Sequence, residues 1–585
     1  GYLDVPPYPA SARLDARLQE LRQGLTPQAT LDGMAPAAAA PDKRQLEAQQ
    51  AELKEHRAQV AGARDSLRQA KDVPFVWDIA FVEVFSGERQ GFDLLLGNPP
   101  YVRQESIRNP LLARDEGLDQ AADKAAVAAY KTALADAAYA RWPKTFGYGR
   151  GKQTLKLDGR SDLYIYFYLV GLSLLNPQGA FCFVTSNAWL DVGYGAALQR
   201  FLLTRGLVRL VLDNQVRRTF KEADVNTVIA LLGPAVDDRR DRVASLDHLA
   251  RFVMFTVSYE QGLSAVLWQE VCEARARRAM PEYRVHPLTQ RDALAAGSDQ
   301  ANVYAGDKWG GKYLRAPDIY WEILRRAGDR LVRLGDVADV RFGIKTGANE
   351  FFFLRPEDAV KWGIEDRFLM PAVKNTRDLT SCWLDDPEKM PLLLFLCGLS
   401  RSELAGTGAL DYIEFGESVG YHNRSTCKGR HPWWTLRDVR PAHINCNYQI
   451  DRVMRFYGSF RPFPVSDNFQ EIHYKGSPLA AFAAFNSSFT QLAVNTMGRA
   501  NFGGGLLKIQ TYEVANLVVP DPRTLRGVET ADWTGELLNY GDKARETLDQ
   551  IIADSLGLES ALMRLARDEA AGLAEARAAR STSTG

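Results

Sequence analysis

Cysteine is scarce: six residues (Cys182, Cys272, Cys382, Cys397, Cys427 and Cys446) in 585, with no Cys-x-x-Cys pair and no histidine at zinc-ligand spacing. That excludes a disulfide scaffold and a zinc-knit module, leaves no metal-ligand set, and fits reduced structural thiols in a cytosolic protein. Long hydrophobic runs are missing too. The longest charge-free apolar stretch, "PLLLFLCGLS" at 391–400, falls far short of the ~20 residues a bilayer span requires. The N-terminal "GYLDVPPYPASARLDARLQEL" has no basic segment followed by an apolar core, so no secretion signal is expected there. It opens on Gly, which fits a processed chain or a piece of a longer one. Net charge is absent as well, with Lys+Arg and Asp+Glu both at 72. A globally basic surface is therefore excluded, and any nucleic-acid footprint has to be local. No Asp…Glu-x-Lys constellation follows an apolar strand, so no nuclease centre is legible.

What is present is a soluble globular composition, 46% hydrophobic, in a chain too long for one core. Residues 1–72 read as a helical hairpin. Leu14, Leu18, Leu21 and Leu25 form one stripe, Leu46, Leu53, Val60 and Leu67 recur every seven residues, and a Pro/Ala-rich connector lies between. Two independent surface helices fit equally well. Residues 73–235 alternate strands ("FDLLLGN", "AFCFVTSNAWL", "LVRLVLDN", "NTVIALLGP") with apolar helices. This predicts an α/β domain on a mainly parallel sheet, with ligand sites at the strands' carboxyl ends. Residues 236–330 read as a charged, helical connector. Residues 331–525 read as a second domain rich in turns and aromatics, and 526–585 as a helical tail.

The stretch "FDLLLGNPPYVRQ" (92–104) ends an apolar run in Asn98-Pro99-Pro100-Tyr101. Asn-Pro is a common turn dipeptide, so a rigid loop is the plain reading. The chemistry it suits is methylation of an exocyclic amine, whose lone pair is delocalised into its ring. Accepting hydrogen bonds from both amine protons lets that nitrogen turn pyramidal and nucleophilic. The Asn98 side-chain oxygen and the Pro99 carbonyl are acceptors of this kind. The prolines stiffen the loop, and Tyr101 can stack on a base swung out of a duplex.

With "FVWDIAFVEVFSGERQGFDLLLGNPPYVRQES" and "SDLYIYFYLVGLSLLNPQGAFCFVTSNAWL", the chain resembles the amino-methyltransferase half of the type IIG restriction–modification family. Those are DNA adenine-N6 methyltransferases that use S-adenosylmethionine. The resemblance implies a partial Rossmann-like sheet and makes Asn98, Pro99, Pro100 and Tyr101 catalytic. It places Asp162, Leu163, Tyr164 and Phe167 near the cofactor and makes Thr185 to Trp189 a pocket wall. The family's glycine-rich cofactor loop and acidic ribose-binding residue precede Asn-Pro-Pro-Tyr, and neither is found upstream of Asn98. "GYGRGK" (147–152) follows no strand and reads as a flexible loop that could touch DNA phosphate. An upstream segment or a partner chain is expected to supply the cofactor loop.

In the second domain, "LGDVADVRFGIKTGANEFFFL" (334–354) reads alone as a hairpin with a polar tip. It also resembles the opening of target-recognition domains shared by type IIG enzymes and type I specificity subunits, and "NFGGGLLKIQTYEVANLVVPDP" (501–522) resembles their close. The resemblance implies an α+β domain that binds double-stranded DNA. From Arg424 to Arg461 eight Arg/Lys stand against two acids, interleaved with Trp433, Trp434, Tyr448, Phe456, Tyr457 and Phe460. This pattern suits phosphate positioning plus base contacts. Lys345, Thr346, Arg430, Trp433, Trp434 and Arg499 are the candidate DNA-binding residues. Two alternatives stand beside DNA methylation. One is methylation of RNA or protein glutamine; the other is a non-catalytic specificity subunit on a vestigial methyltransferase fold.

Overall fold

The structure is a computed structural model that describes residues 51, 54, 77–86, 90–110, 120–148, 155–214, 226–237, 246–299, 301–384, 390, 392–498, 506–530 and 540–582. The expected helical hairpin lies almost wholly outside these residues. The chain divides into two compact units, residues 1–95 with 174–180, and residues 96–173 with 181–585.

In the first unit an aromatic cluster sets the start of strand β1 (Phe92–Gly97). Two short helical turns, Trp77–Ala80 and Val82–Phe85, bring Trp77, Phe81 and Phe85 edge-on to Phe92 at centroid distances of 6.1, 5.3 and 5.4 Å. The Phe92 N–H donates to the Leu174 carbonyl at 2.8 Å, and Asn176 Nδ2 donates to Asp93 at 2.7 Å.

The second unit carries helices α1 (Gln120–Arg141), α2 (Leu163–Leu172) and α3 (Ala196–Arg205). Strand β2 (Leu175–Ser186) begins in the first unit and belongs to the second from Phe181 on; the further strands of the second unit include β3 (Val208–Asn214), β4 (Thr227–Leu232), β5 (Leu249–Phe255), β6 (Arg278–Ala279) and β7 (Tyr283–Thr289). The seven-stranded sheet has the order β1-β2-β4-β3-β5-β7-β6. It is mixed rather than mainly parallel. β3 pairs with β5 in parallel, whereas β4 runs antiparallel to both β2 and β3, and β7 to both β5 and β6. An unbroken apolar run carries no information on strand direction, and in β1 it does not report burial either, since Leu94 and Leu96 are 56% and 66% exposed.

Residues 236–330 are likewise more than a connector. β5 and β7 extend the sheet, and Val253, Phe255, Tyr283 and Val285 share a core with Leu210 and Leu212. Interspersed Arg and His had masked the alternation in "LARFVMF" and "YRVHPLT".

Beyond helix α4 (Asp318–Ala327) two cores follow. The first is built on a four-stranded sheet in the order β15-β13-β16-β9, with β9 Ala338–Phe342, β13 Ala442–Asn447, β15 Phe456–Phe463 and β16 Phe469–Tyr474. Helices α6 (Pro478–Asn486) and α7 (Ser488–Met497) cover it. So do α8 (Lys543–Leu556) and α9 (Ser560–Thr582), whose Leu548, Ile552, Leu556, Met563 and Ala566 join the core of Ile444, Phe482 and Leu492. The expected tail is therefore part of the domain, since an apolar stripe declares a buried face without naming what buries it.

The second core packs strands β10 (Phe353–Leu354), β12 (Leu392–Phe395) and β11 (Leu369–Ala372) with helix α5 (Gly408–Val419) and Trp433 and Trp434. Two small ladders complete the unit: β8 (Leu331–Arg333) with β18 (Val518–Pro520), and β14 (Gln449–Ile450) with β17 (Leu507–Lys508). The hairpin expected at 334–354 does not form. β9 pairs with β16 and β10 with β12, because distant apolar partners outweigh the local turn.

Candidate active site and recognition surface

β1 ends at Gly97, where a Cβ would sit 2.5 Å from the Phe183 ring. Glycine therefore lets the strand end lie flat against β2. The next four residues alternate: Asn98 exposed, Pro99 buried, Pro100 exposed and Tyr101 half-buried. Pro99 and Pro100 carry no N–H, so this turn offers carbonyls and the Asn98 oxygen and no backbone donor between them. The Tyr101 hydroxyl donates to Asn98 Oδ1 at 2.6 Å and lies 3.5 Å from the Val184 carbonyl. Burial raises the Tyr101 hydroxyl above the usual phenol range, which keeps it a donor.

The loop is then stitched to the start of α2. The Leu163 N–H donates to the Val102 carbonyl at 3.1 Å, and the Gln104 N–H donates to Asp162 Oδ1 at 2.9 Å. Asp162 precedes α2 in extended backbone and its side chain caps none of its N–H groups; that side chain bonds the loop after β1 instead. Its second oxygen accepts from the Tyr194 hydroxyl at 2.7 Å, and Tyr194 lies 2.8 Å from the Tyr164 hydroxyl. Burial lifts the Asp162 carboxyl above the ordinary range, against the pull of those donors. Burial likewise pushes the Tyr164 and Tyr194 hydroxyls well up. Tyr168 bonds Thr185 at 3.0 Å behind the site, and Thr185 and Trp189 are wholly buried.

Asp162 holds the Gln104 N–H just beyond Tyr101 and Tyr164 bonds Tyr194, while Phe167 points outward at 41% exposure. Their geometry suits holding the loop rather than a cofactor. Each Asp162 oxygen accepts from one protein donor, and Tyr164 is 1% exposed. Reading the sequence missed Gln104 and Tyr194, which close this network across 58 and 32 residues. No local spacing signals such pairs.

The recognition candidates separate more sharply. Lys345 is exposed. Thr346 is fully buried, accepts from the Ala348 N–H at 3.1 Å and bonds Asn349, so it shapes the turn and cannot touch DNA. Trp433 and Trp434 are also corrected to core residues, 8% and 6% exposed. Their indole N–H groups donate to Glu417 at 3.1 Å and to the Leu399 carbonyl at 3.2 Å. Arg430 is half-buried, and Arg499 lies outside the described residues. Of the run's aromatics Phe460 stays exposed, at 60%, along with Arg424, Lys428, Arg437, Arg440, Arg452 and Arg461.

Residues 37–220 match the family described as the Eco57I restriction-modification methylase. Residues 307–553 match the C-terminal domain of the type II methyltransferase M.Eco57I. Over these two stretches the chain is similar to the Eco57I restriction–modification methylases. Among curated relatives, the type II methyltransferase M.XamI of Xanthomonas campestris pv. amaranthicola is 24% identical, over 74% of this chain and 68% of its own length. M.BstVI of Geobacillus stearothermophilus is 24% identical, over 50% of this chain, which spans 41% of that relative's length. The type IIG restriction endonuclease BpuSI aligns in structure over 84% of this chain and 55% of its own, with TM-score 0.36 and 13% identity. The type IIL enzyme MmeI in complex with DNA aligns over 84% and 57%, with TM-score 0.35 and 13% identity. The two Eco57I-type matches accord with the likeness drawn from Asn-Pro-Pro-Tyr and its neighbours, and the α/β sheet followed by an α+β domain accords with the expected fold class. Among the described residues no helix is long and apolar enough to cross a membrane.

Proposed function

We propose that this chain is the catalytic-loop and DNA-recognition part of a site-specific DNA adenine-N6 methyltransferase from a restriction–modification or phage-defence system. The reaction moves a methyl group from S-adenosylmethionine to the amine of an adenine flipped out of double-stranded DNA. The observation that carries this reading is Asn98, exposed at the carboxyl end of β1 in a turn that offers acceptors, with Tyr101 fixed beside it. An amide oxygen has two lone pairs. Tyr101 occupies one and leaves the other for an amine N–H, and the Pro99 carbonyl is the acceptor we assign to the second N–H. The Tyr101 ring face then packs on the base.

The cofactor side is different. Asp162 accepts from Gln104 and Tyr194, and Tyr164 bonds Tyr194; the described residues form the amine-facing wall, and no glycine-rich cofactor loop stands among them upstream of Asn98. We assign the cradle to a further segment or partner chain pairing along β1, the outermost strand of its sheet among the described residues. The spent carboxylate equally supports the non-catalytic reading, and two measurements separate them. Calorimetric titration of this chain with S-adenosylmethionine is expected to give affinity weaker than low-micromolar; low-micromolar binding would overturn the two-part site. With the cofactor segment supplied, tritiated methyl transfer should label adenine in duplexes carrying the recognised site. Label on cytosine, RNA or protein, or none at all, would refute adenine methylation.

A further inference from the structure

We propose that Glu471, with Arg430, reads one cytosine–guanine base pair through its major-groove edge. This deepens the DNA-methyltransferase reading and rests on it. In the recognition domain a cavity of about 410 Å³ is lined by Gly343, Lys345, Thr426, Arg430, Arg437 and Glu471 among others. Glu471 lies on β16 between Arg341 of β9 and Asn445 of β13 and is 5% exposed. Arg341 bonds Asp339 instead, at 2.6 Å. One Glu471 oxygen lies 3.3 Å from His473 Nε2. The other, Oε1, is buried with no partner among the described residues, as is the Oδ1 of Asn445.

Arg430 shows the complementary state. Its guanidinium is held by the Thr426 carbonyl at 3.3 Å and by the Thr346 carbonyl, over the Phe352 ring at 5.3 Å. Its Nη1 is buried with no partner among the described residues. A carboxylate oxygen and a guanidinium N–H left unpaired on one cavity are costly, and an outside partner offering both a donor and acceptors relieves both.

Phosphate is the wrong partner for Glu471, because the charges repel; the exposed Lys345 and Arg437 at the cavity suit phosphate instead. The edge of a cytosine–guanine pair carries the cytosine N4 amine beside guanine O6 and N7. Glu accepts from the first and Arg donates to the others. A thymine at the same place would turn its O4 acceptor toward the carboxylate and be rejected. Arg430 is already fixed by backbone carbonyls, so little ordering remains for binding to impose.

The test selects duplexes from a randomised library with the wild-type chain and with Glu471→Gln, whose fold is checked by thermal unfolding. Wild type should enrich a motif with one invariant cytosine that Glu471→Gln relaxes roughly tenfold or more, other positions unchanged. A scan of the enriched duplex with N4-methylcytosine, read on wild type alone, should weaken binding at that same position by a similar factor. A motif unchanged in Glu471→Gln, or tolerance of N4-methylcytosine at every position, overturns the assignment while leaving DNA recognition intact. If wild type enriches nothing and binds duplex without salt dependence, DNA recognition itself fails and the assignment with it.

Discussion

Two loops leave strands in this molecule and divide their polar atoms in opposite ways. After β1, Asn98 stays exposed while the groups around it, Tyr101, Gln104 and Asp162, are spent on holding it. After β9, Thr346 is buried and bonded to its own turn, and the flanking Lys345 is left in solvent. The first loop positions one acceptor on a stiff support, as amine chemistry needs. The second positions a charge near a cavity, as docking on a polyanion needs. Residues adjacent in a motif therefore need not share its role.

The sharpest way to break the comparison is at the aromatics read as part of the DNA surface. Trp433 packs on Phe351 at a centroid distance of 4.7 Å in a closed core. Trp433→Ala should lower unfolding stability in urea by about 3–5 kcal/mol. A mild stability loss with strongly weakened DNA binding would restore it to the interface.

Next is the catalytic turn. Asn98→Ala removes the acceptor aimed at the amine as charge develops, and should slow methyl transfer by the completed enzyme by about a hundredfold or more. Duplex affinity should hold, because the contacts proposed for it lie in another domain. Full activity in this variant would remove Asn98 from the chemistry.

These two residues also show what the sequence made legible. Asn98 was readable because its chemistry is local: an amide, two prolines and a ring at the end of an apolar strand. The Trp pair was not, since an aromatic among arginines looks the same whether its ring faces solvent or packs under α5. Long-range pairing was equally hidden. β9 and β16 are joined through Ile472 and Val340, and no pattern in either segment names the other. The strands β5 and β7 escaped notice because arginine and histidine sit at their less buried positions and broke the apolar texture.

A smaller effect is expected from the exposed charges. Arg437→Ala, next to the cavity, should weaken binding about equally across duplex sequences and lower the slope of log K against log salt by about one. Unfolding should change by no more than about 0.5 kcal/mol. A change in sequence preference instead would make Arg437 a base reader and move the boundary between phosphate and base contacts.

The smallest change tests the support behind Asn98. Tyr101→Phe keeps the ring face for stacking and deletes the hydroxyl that donates to Asn98 Oδ1. Without it the amide is free to rotate, yet its oxygen still faces solvent at the strand end and can accept from the amine. A loss of a few-fold in turnover is therefore expected, on the scale of about 0.5–1.5 kcal/mol for one neutral hydrogen bond. Tyr101→Ala also loses stacking, roughly 1–3 kcal/mol by comparison with single-strand binding, and should cut both base capture and turnover. The pH profile adds a check. Because burial raises the Tyr101 hydroxyl, it remains protonated above the normal phenol range, so the wild-type advantage over Tyr101→Phe should persist past pH ~10. A ratio that collapses below that pH would mean that the hydroxyl ionises early. A ratio near one at every pH would mean that the Asn98–Tyr101 bond is not what holds the acceptor in place.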